Sequence, residues 1–327
     1  MLNFLRFLSP EERVILTAVG VDFCLGDPVG FPHPVRMIGK MAALLERQSR
    51  RWIPSAFWAG VISAVLIDAL VYGVALISIE LLRGRFPHVS TLISVYWIYS
   101  AVALRDLITH SHRVYQALTS VSLVEARRQV AMIVGRDTEN LSESQVIRAC
   151  VESVSESLVD GVTAPIFFAW LMGPAGAMLY RAINTLDSIY GHRDERYEQF
   201  GKCAARIDDL ANFIPARLTA PLVAVASVFI GLRPRQSLRI WLRDGRKHPS
   251  PNSGLAEAAF AGALGIQLGG EVTYQGEKSH KPFLGDPLEE KTPEHILNSN
   301  RLLVWITGLF IILLGCLSRW RGGFGLI

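Results

Sequence analysis

The chain reads as an all-α, polytopic integral membrane protein with cytoplasmic helical and loop segments forming the active site. Three observations predict this class. Half of the 327 residues are hydrophobic and only 19% are charged, where soluble domains carry roughly 25%, and the mean hydropathy is +0.29. The apolar residues gather in runs long enough to be membrane helices. The charged residues fall between those runs, in short clusters mixing acids, arginines, His and Asn. This composition excludes a disordered chain, which needs low hydrophobicity and high net charge. Four cysteines with no CxxC pair exclude a disulfide scaffold and argue against structural zinc. A net charge of +4 and a pI near 8.9 give no footprint for nucleic acid.

Residues 1–327 are read as one membrane-embedded catalytic domain with apolar segments at 56–82, 89–104, 162–180, 218–232 and 302–317. The start of the chain is not a signal peptide, because Glu11, Glu12 and Arg13 interrupt it before any apolar stretch. Val14–Leu25 follows as a short buried or interfacial helix. Segment 56–82 has two acids and no base and is long enough to span a bilayer. Segment 89–104 carries Tyr96, Trp97 and Tyr99, rings favoured near membrane interfaces. Segment 302–317 is uncharged and lies between Arg301 and Arg319, which are suitable anchors. Segment 162–180 contains Gly173-Pro174-Ala175-Gly176, which breaks a helix. It is either a full crossing or a re-entrant hairpin, and only the hairpin leaves 105–161 and 181–217 on one side. Segment 218–232 is short for a crossing. Arg6, Arg13, Arg36, Lys40, Arg47, Arg50 and Arg51 put 1–55 in the cytoplasm, and the basic start of 233–300 favours the same side. The expected location is therefore a cell membrane, crossed several times.

Six polar clusters carry the chemistry. The first runs from Asp22 through Gly26-Asp27-Pro28 to Phe31-Pro32-His33-Pro34-Val35-Arg36, an extended Pro-rich loop bearing acids, a His and an Arg. The second places Arg105, Asp106, His110 and Arg113 at helical spacing. The third is the turn Gly135-Arg136-Asp137-Thr138, followed by a helix capped by Ser142. That helix shows Arg148, Glu152, Glu156 and Asp160 at i, i+4 steps. Like charges at that step repel, so the stripe calls for a cationic partner: an Arg from elsewhere, or Mg2+. The fourth is Arg181, Asn184, Thr185 and Asp187, and the fifth is Arg206, Asp208, Asp209 and Asn212, ending in Arg217. Acids plus Asn at this spacing suit magnesium and phosphate. The sixth is His248-Pro249-Ser250-Pro251-Asn252-Ser253-Gly254, a rigid loop before an Ala-rich helix from Glu257 and then Gly269-Gly270. Any one cluster alone is also compatible with a solvated ion-pair face. No GxxxxGK[ST], GxGxxG or GxSxG motif occurs.

At these motifs the sequence resembles the adenosylcobinamide-phosphate synthase family of cobalamin biosynthesis. The matching stretches are LGDPVGFPHPVRMIG (25–39), RDLITH (105–110), VGRDT (134–138), RACVESVSESLVDGVTAPIFF (148–168), RAINTLDSIYG (181–191), FGKCAARIDDLANFIPARLTA (200–220) and HPSPNSGLAEAAFAGALGIQLGG (248–270). They occur in the family's order over most of the chain. Ser157 stands where the family often has Asn, and His192 where it often has an aromatic residue. The resemblance implies an ATP-dependent ligase with Mg2+. Such an enzyme joins the corrinoid adenosylcobyric acid to (R)-1-amino-2-propanol phosphate or ethanolamine phosphate. It implies a bilayer and no nucleic acid as partners, together with other membrane enzymes of the late cobalamin pathway. It also implies a prokaryotic cell (inner) membrane as the location.

For that chemistry Glu152, Glu156, Asp160 and His248 are the expected catalytic residues. Asp27, His33, Arg36, Arg105, Arg136, Arg181, Asn184, Arg206, Arg217 and Asn252 are the expected substrate and phosphate ligands. Asp187, Asp208, Asp209 and Asn212 are the expected metal ligands. Activation through an acyl phosphate or an acyl adenylate remains open. Two rivals are weighed. A corrinoid or phosphorylated-metabolite transporter would line a path with intramembrane charge such as Asp68 and Glu80, yet most acids lie outside the runs. A Mg-dependent membrane prenyltransferase would consume a prenyl diphosphate and no ATP.

Overall fold

Ser9 and Pro10 set the start of the first helix: the Ser9 hydroxyl accepts from the Glu12 N–H while the Glu12 carboxylate accepts from the Ser9 N–H, a reciprocal cap that opens helix α1 (Pro10–Leu25). The structure, a computed structural model, describes residues 9–28, 30, 33–191 and 194–323. Arg6, Phe31, Pro32 and His192, singled out above, lie outside the described residues. The chain divides into two compact units: Met1–Ala103 with Ala164–Asn212 and Leu314–Ile327, and Leu104–Thr163 with Phe213–Leu313.

The first unit holds α1, α2 (Pro34–Trp52), α3 (Ala56–Arg83), α4 (Pro87–Ala101), α8 (Ala164–Tyr190) and α9 (Lys202–Ala211). Pro34 and Pro87 open their helices at the position where a missing N–H costs nothing. Helices α3 and α4 pack on α8. Helix α3 also meets the segment before α9: a side chain on Gly60 would lie 1.8 Å from the Phe200 carbonyl oxygen, so only Gly allows that approach. The outer face of α3 (Ile62, Val65, Leu66, Leu70, Val74, Ile77 and Leu81) is exposed. An apolar face of that extent belongs against lipid.

Helix α8 is broken at Gly173, with φ 72° and ψ −168°, just before Pro174. The Phe168 and Tyr180 rings stack 5.2 Å apart. Residues that distant along one straight helix would be roughly 18 Å apart at 1.5 Å per residue. A side chain on Gly176 would likewise lie 2.6 Å from the Phe168 carbonyl oxygen. The helix therefore folds back at Gly173.

The second unit holds α5 (Leu104–Ser120), α6 (Leu123–Ala131), α7 (Glu143–Leu158) with a π turn at Val159–Thr163, α10 (Phe213–Phe229), α11 (Pro234–Asp244), α12 (Ser253–Leu264) and a hairpin of β1 (Leu268–Tyr274) and β2 (Glu277–Leu284). Ser142 and Gln145 cap α7 as Ser9 and Glu12 cap α1. Helix α12 is buried along its whole length among small residues and packs on α11 and α10. Helix α13 (Glu294–Gly323) begins in this unit and its last residues belong to the first.

Among the described residues, four helical stretches are long and apolar enough to cross a membrane: Ala56–Arg83, Pro87–Ser120, Glu143–Tyr190 and Glu294–Trp320. The pair Lys202–Ala211 and Phe213–Phe229, bent by 47°, is a fifth if it counts as one span. The protein is a helical, polytopic membrane protein, and the exposed apolar faces rule out buried core helices of a soluble enzyme. The β1–β2 hairpin was not anticipated. Its strands pair antiparallel from Tyr274 opposite Glu277 to Leu268 opposite Leu284, with a bulge between Leu268 and Gly270.

Candidate functional site

In the second unit, the stripe on α7 meets the hairpin. Glu152 is 1% exposed, and an ion so buried needs countercharge. Arg136, from the turn before α7, reaches its Oε2 at 2.5 Å, with the Arg136 side chain 6% exposed. Arg148, one turn back on α7, lies 3.7 Å from Oε1. The hairpin completes the cage. The Gly269 N–H donates to Glu152 Oε1 at 2.8 Å. Arg148 donates to the Gly269 carbonyl at 2.5 Å and to the Glu271 carbonyl at 2.7 Å. Gly269 and Gly270 have φ +81° and +93°, values that an L side chain resists. A Cβ on Gly269 would lie 2.1 Å from the Pro282 oxygen, and one on Gly270 3.1 Å from Arg148 Nη1. The two glycines thus let the bulge close onto the ion pair. The stripe's cationic partner is an Arg from elsewhere, one of the two options the sequence left.

More charge surrounds this pair. His248 and Glu257 both feel Lys281 of β2, Glu156 and Glu152. Lys291 feels Arg148 and Glu152. Burial, reinforced by Lys281, pushes the His248 imidazole down, against the pull of Glu156. Burial, with Glu156 adding like charge, raises the Glu257 carboxyl well above the ordinary range, and Lys281 opposes this. Burial and then Arg148 lower the Lys291 ammonium, with Glu152 opposing. His248 Nδ1 accepts from the Ser250 N–H at 3.0 Å, so the neutral ring carries its proton on Nε2. Nε2, Arg136 Nη1 and Glu257 Oε1 are buried with no hydrogen-bond partner among the described residues. Arg217 lies over the Phe213 ring at 3.4 Å and donates to Asn252 Oδ1 at 3.3 Å. Two expected phosphate ligands are thereby joined. Asp160 lies half-buried in the π turn, and Arg105 is exposed at the start of α5.

In the first unit, Asp208 is 9% exposed and is held mainly by neutral donors. Asn184 Nδ2 lies 3.4 Å from Oδ1 and Asn212 Nδ2 lies 3.0 Å from Oδ2. The Tyr180 hydroxyl orients Asn212 by donating to its Oδ1 at 2.8 Å. Asp187 and, more weakly, Asp209 add like charge to Asp208. A Cβ on Gly191 would meet Asp187 Oδ1 at 2.2 Å, so that glycine leaves room for the carboxylate. Asp27 lies 3.3 Å from His33 Nε2. His33 also caps α2, accepting from the Val35 N–H at 3.3 Å. Arg181 is half-buried, while Arg36 and Arg206 are exposed.

The expected site residues thus fall into two sets. Asp27, His33, Arg36, Arg181, Asn184, Asp187, Arg206, Asp208, Asp209 and Asn212 belong to the first unit, and Arg105, Arg136, Glu152, Glu156, Asp160, Arg217, His248 and Asn252 to the second. Among the described residues, no group of three or more His, Cys, Asp or Glu is placed to hold a metal. The Asp187–Asp208 oxygens therefore do not fit an all-protein metal cage. Mg2+ is usually bound through one or two carboxylates, with the remaining positions left to water and substrate phosphate.

Three contributors escaped sequence reading as site residues: Glu257, Lys281 and Lys291. Glu257 had a signal, since it is the lone ionisable residue of the otherwise apolar GLAEAAFAGALG. Lys281 and Lys291 had none, because they sit in a polar stretch without periodicity.

The fold and its paired-charge clusters define a membrane protein built to handle charged groups, and comparison with known proteins gives its kinship. The family model CobD/Cbib protein matches residues 15–303, and the chain belongs to that family. It is 48% identical over 303 residues to the cobalamin biosynthesis protein CobD of Leptospira interrogans, covering 92% of this chain and 96% of the relative. It is 45% identical over 282 residues to CobD of Geobacter metallireducens, covering 86% and 89%. It is 39% identical over 303 residues to CbiB of Salmonella typhimurium, covering 91% and 94%. No solved structure matches it.

Proposed function

We propose that this member of the family acts in cobalamin biosynthesis as adenosylcobinamide-phosphate synthase, an ATP-dependent acid–amine ligase. It would join the carboxylate of adenosylcobyric acid to (R)-1-amino-2-propanol phosphate or ethanolamine phosphate. The observation that carries the reading is the cage of the second unit. Arg136, Arg148, Lys281 and Lys291 gather with the carboxylates of Glu152, Glu156 and Glu257, one cation more than the acids, and Arg136 keeps one buried N–H donor unsatisfied. Cations in excess of their anions, with a donor left over, suit a phosphate.

The chemistry follows from the groups present. A carboxylate is a poor acyl donor, so ATP converts it to a mixed anhydride with a leaving group. Arg136, Lys281 and the Nε2–H of His248 bind and neutralise phosphate oxygens. With Nδ1 occupied by the Ser250 N–H, His248 acts there as a donor. The amine attacks as free base, and a carboxylate of the cluster accepts its proton. Asp187 and Asp208 would hold Mg2+, which supplies charge neutralisation for ATP phosphates. We further propose that these polar segments face the cytoplasm of a prokaryotic cell, where ATP is available, with the basic loops retained on that side.

The test is reconstitution. Detergent-purified protein is given Mg-ATP, ethanolamine phosphate and adenosylcobyric acid, and the amide is sought by mass. The amide should appear only when ATP, Mg2+ and both substrates are present. Folded protein that forms none with either amino-alcohol phosphate overturns the reading, and consumption of a prenyl diphosphate without ATP would replace it.

A further inference from the structure

We infer that Glu257 and Glu156 form the subsite for the ammonium end of the amine substrate, with Glu257 as a catalytic residue that takes the proton from the attacking nitrogen. The inference rests on the ligase reading above and adds a residue and a role to it.

Glu257 lies in the second turn of α12, a helix otherwise built of apolar and small residues. It is 2% exposed, and its Oε1 has no hydrogen-bond partner among the described residues. A buried carboxyl with an unused acceptor costs stability. The charges that act on it come from α7 (Glu156 and Glu152), from β2 (Lys281) and from the turn before α7 (Arg136). Glu156 and Lys281 also face His248 from the loop before α12. The buried Glu257 and the half-buried Glu156 thus act on each other as like charges, with Lys281 and Arg136 opposing them. A primary ammonium with a phosphate one short carbon linker away matches that order: positive end toward Glu156 and Glu257, negative end toward Lys281, Arg136 and His248 Nε2.

Burial raises the proton affinity of Glu257, which brings it nearer that of an amine and improves it as a base. The step balances as follows. One proton passes from the ammonium to the carboxylate pair. The freed nitrogen lone pair bonds to the acyl carbon of the ATP-derived anhydride. The carbon–oxygen bond to phosphate breaks with its electron pair on the departing phosphate, which carries off the second N–H proton.

The test compares two nucleophiles on the purified enzyme. Hydroxylamine is uncharged at neutral pH and needs no base, whereas ethanolamine phosphate is an ammonium. Glu257→Gln should keep ATP-dependent hydroxamate formation within a few-fold of wild type. It should lose roughly 100-fold in amide formation at neutral pH, with partial recovery above about pH 9 as free amine becomes available. Glu156→Gln, at a half-buried position, should weaken ethanolamine phosphate binding with the same hydroxamate rate. Equal losses with both nucleophiles, or an undiminished amide rate, would overturn the assignment. Wild-type protein that makes neither hydroxamate nor amide would instead count against the ligase reading. In that case calorimetric binding of ethanolamine phosphate still decides: equal affinity in wild type and Glu257→Gln rejects the subsite.

Discussion

The two units bury carboxylates by opposite means. In the second, Glu152 is neutralised by two guanidinium groups and a backbone N–H. In the first, Asp208 is held by two amide side chains. Countercharge makes Glu152 expensive to alter, because removing either partner strands an ion. Neutral donors hold Asp208 without supplying a countercharge. The second unit closes its carboxylate in an ion pair, and the first holds its carboxylate through amide hydrogen bonds.

The sharpest way to break this comparison is Arg136→Ala. It strands Glu152 with the more distant Arg148 and should cost about 3–5 kcal/mol of stability, read as a lowered unfolding midpoint in detergent. An unchanged midpoint would mean that Glu152 is not ionised. Next comes Gly269→Ala, whose Cβ meets the Pro282 oxygen at 2.1 Å from a left-handed backbone. The added strain of about 1–2 kcal/mol comes with loss of the N–H to Glu152, so faster proteolysis within 268–284 is expected. Asp208→Asn should cost only about 1 kcal/mol, since one of its two amide partners can turn to pair with the new amide. It should nevertheless raise the magnesium requirement roughly tenfold or more. A loss of stability matching Arg136→Ala would erase the contrast between the units.

The pH response separates three groups of the second unit. Glu257 has a raised folded pKa, so its stabilising contribution is complete below the ordinary carboxylate value, about 4.3. It is lost as pH rises through the raised one. His248 has a lowered folded pKa, so its contribution is present above about 6.5 and is lost as pH falls through the lowered value. Asp244 behaves as a carboxylate held below its ordinary range. Burial opposes its charge, but Arg243, Lys247 and the Gly285 N–H outweigh burial. Its contribution is lost only at strongly acid pH. Glu257→Gln should therefore flatten the alkaline decline in unfolding midpoint and leave the acid limb in place. A preserved alkaline decline would remove Glu257 as its source.

The sequence disclosed what is local. Arg148 and Glu152 are one turn apart and do pair, the caps at Ser9 and Ser142 form as their spacing requires, and Gly173-Pro174 marks the fold-back of α8. It also separated apolar runs from polar clusters, which is enough for a helical membrane class. What it withheld depends on distance along the chain. The hairpin is polar on both faces over most of β2, so it has no alternation to read, and its closure on Arg148 depends on residues 121 apart in sequence. Lys281 enters the cluster only through that hairpin. The division of the expected ligands between two units is a tertiary fact with no sequence correlate.

The most direct measurement is amide formation by Lys281→Ala with two amines, ethanolamine phosphate and ethanolamine. If the second unit's cations hold the phosphate of the amine substrate, the KM for ethanolamine phosphate should rise roughly tenfold or more, in line with loss of one charge-assisted contact. The KM for ethanolamine should be unmoved. Equal KM changes for both amines, or none for either, would contradict the account.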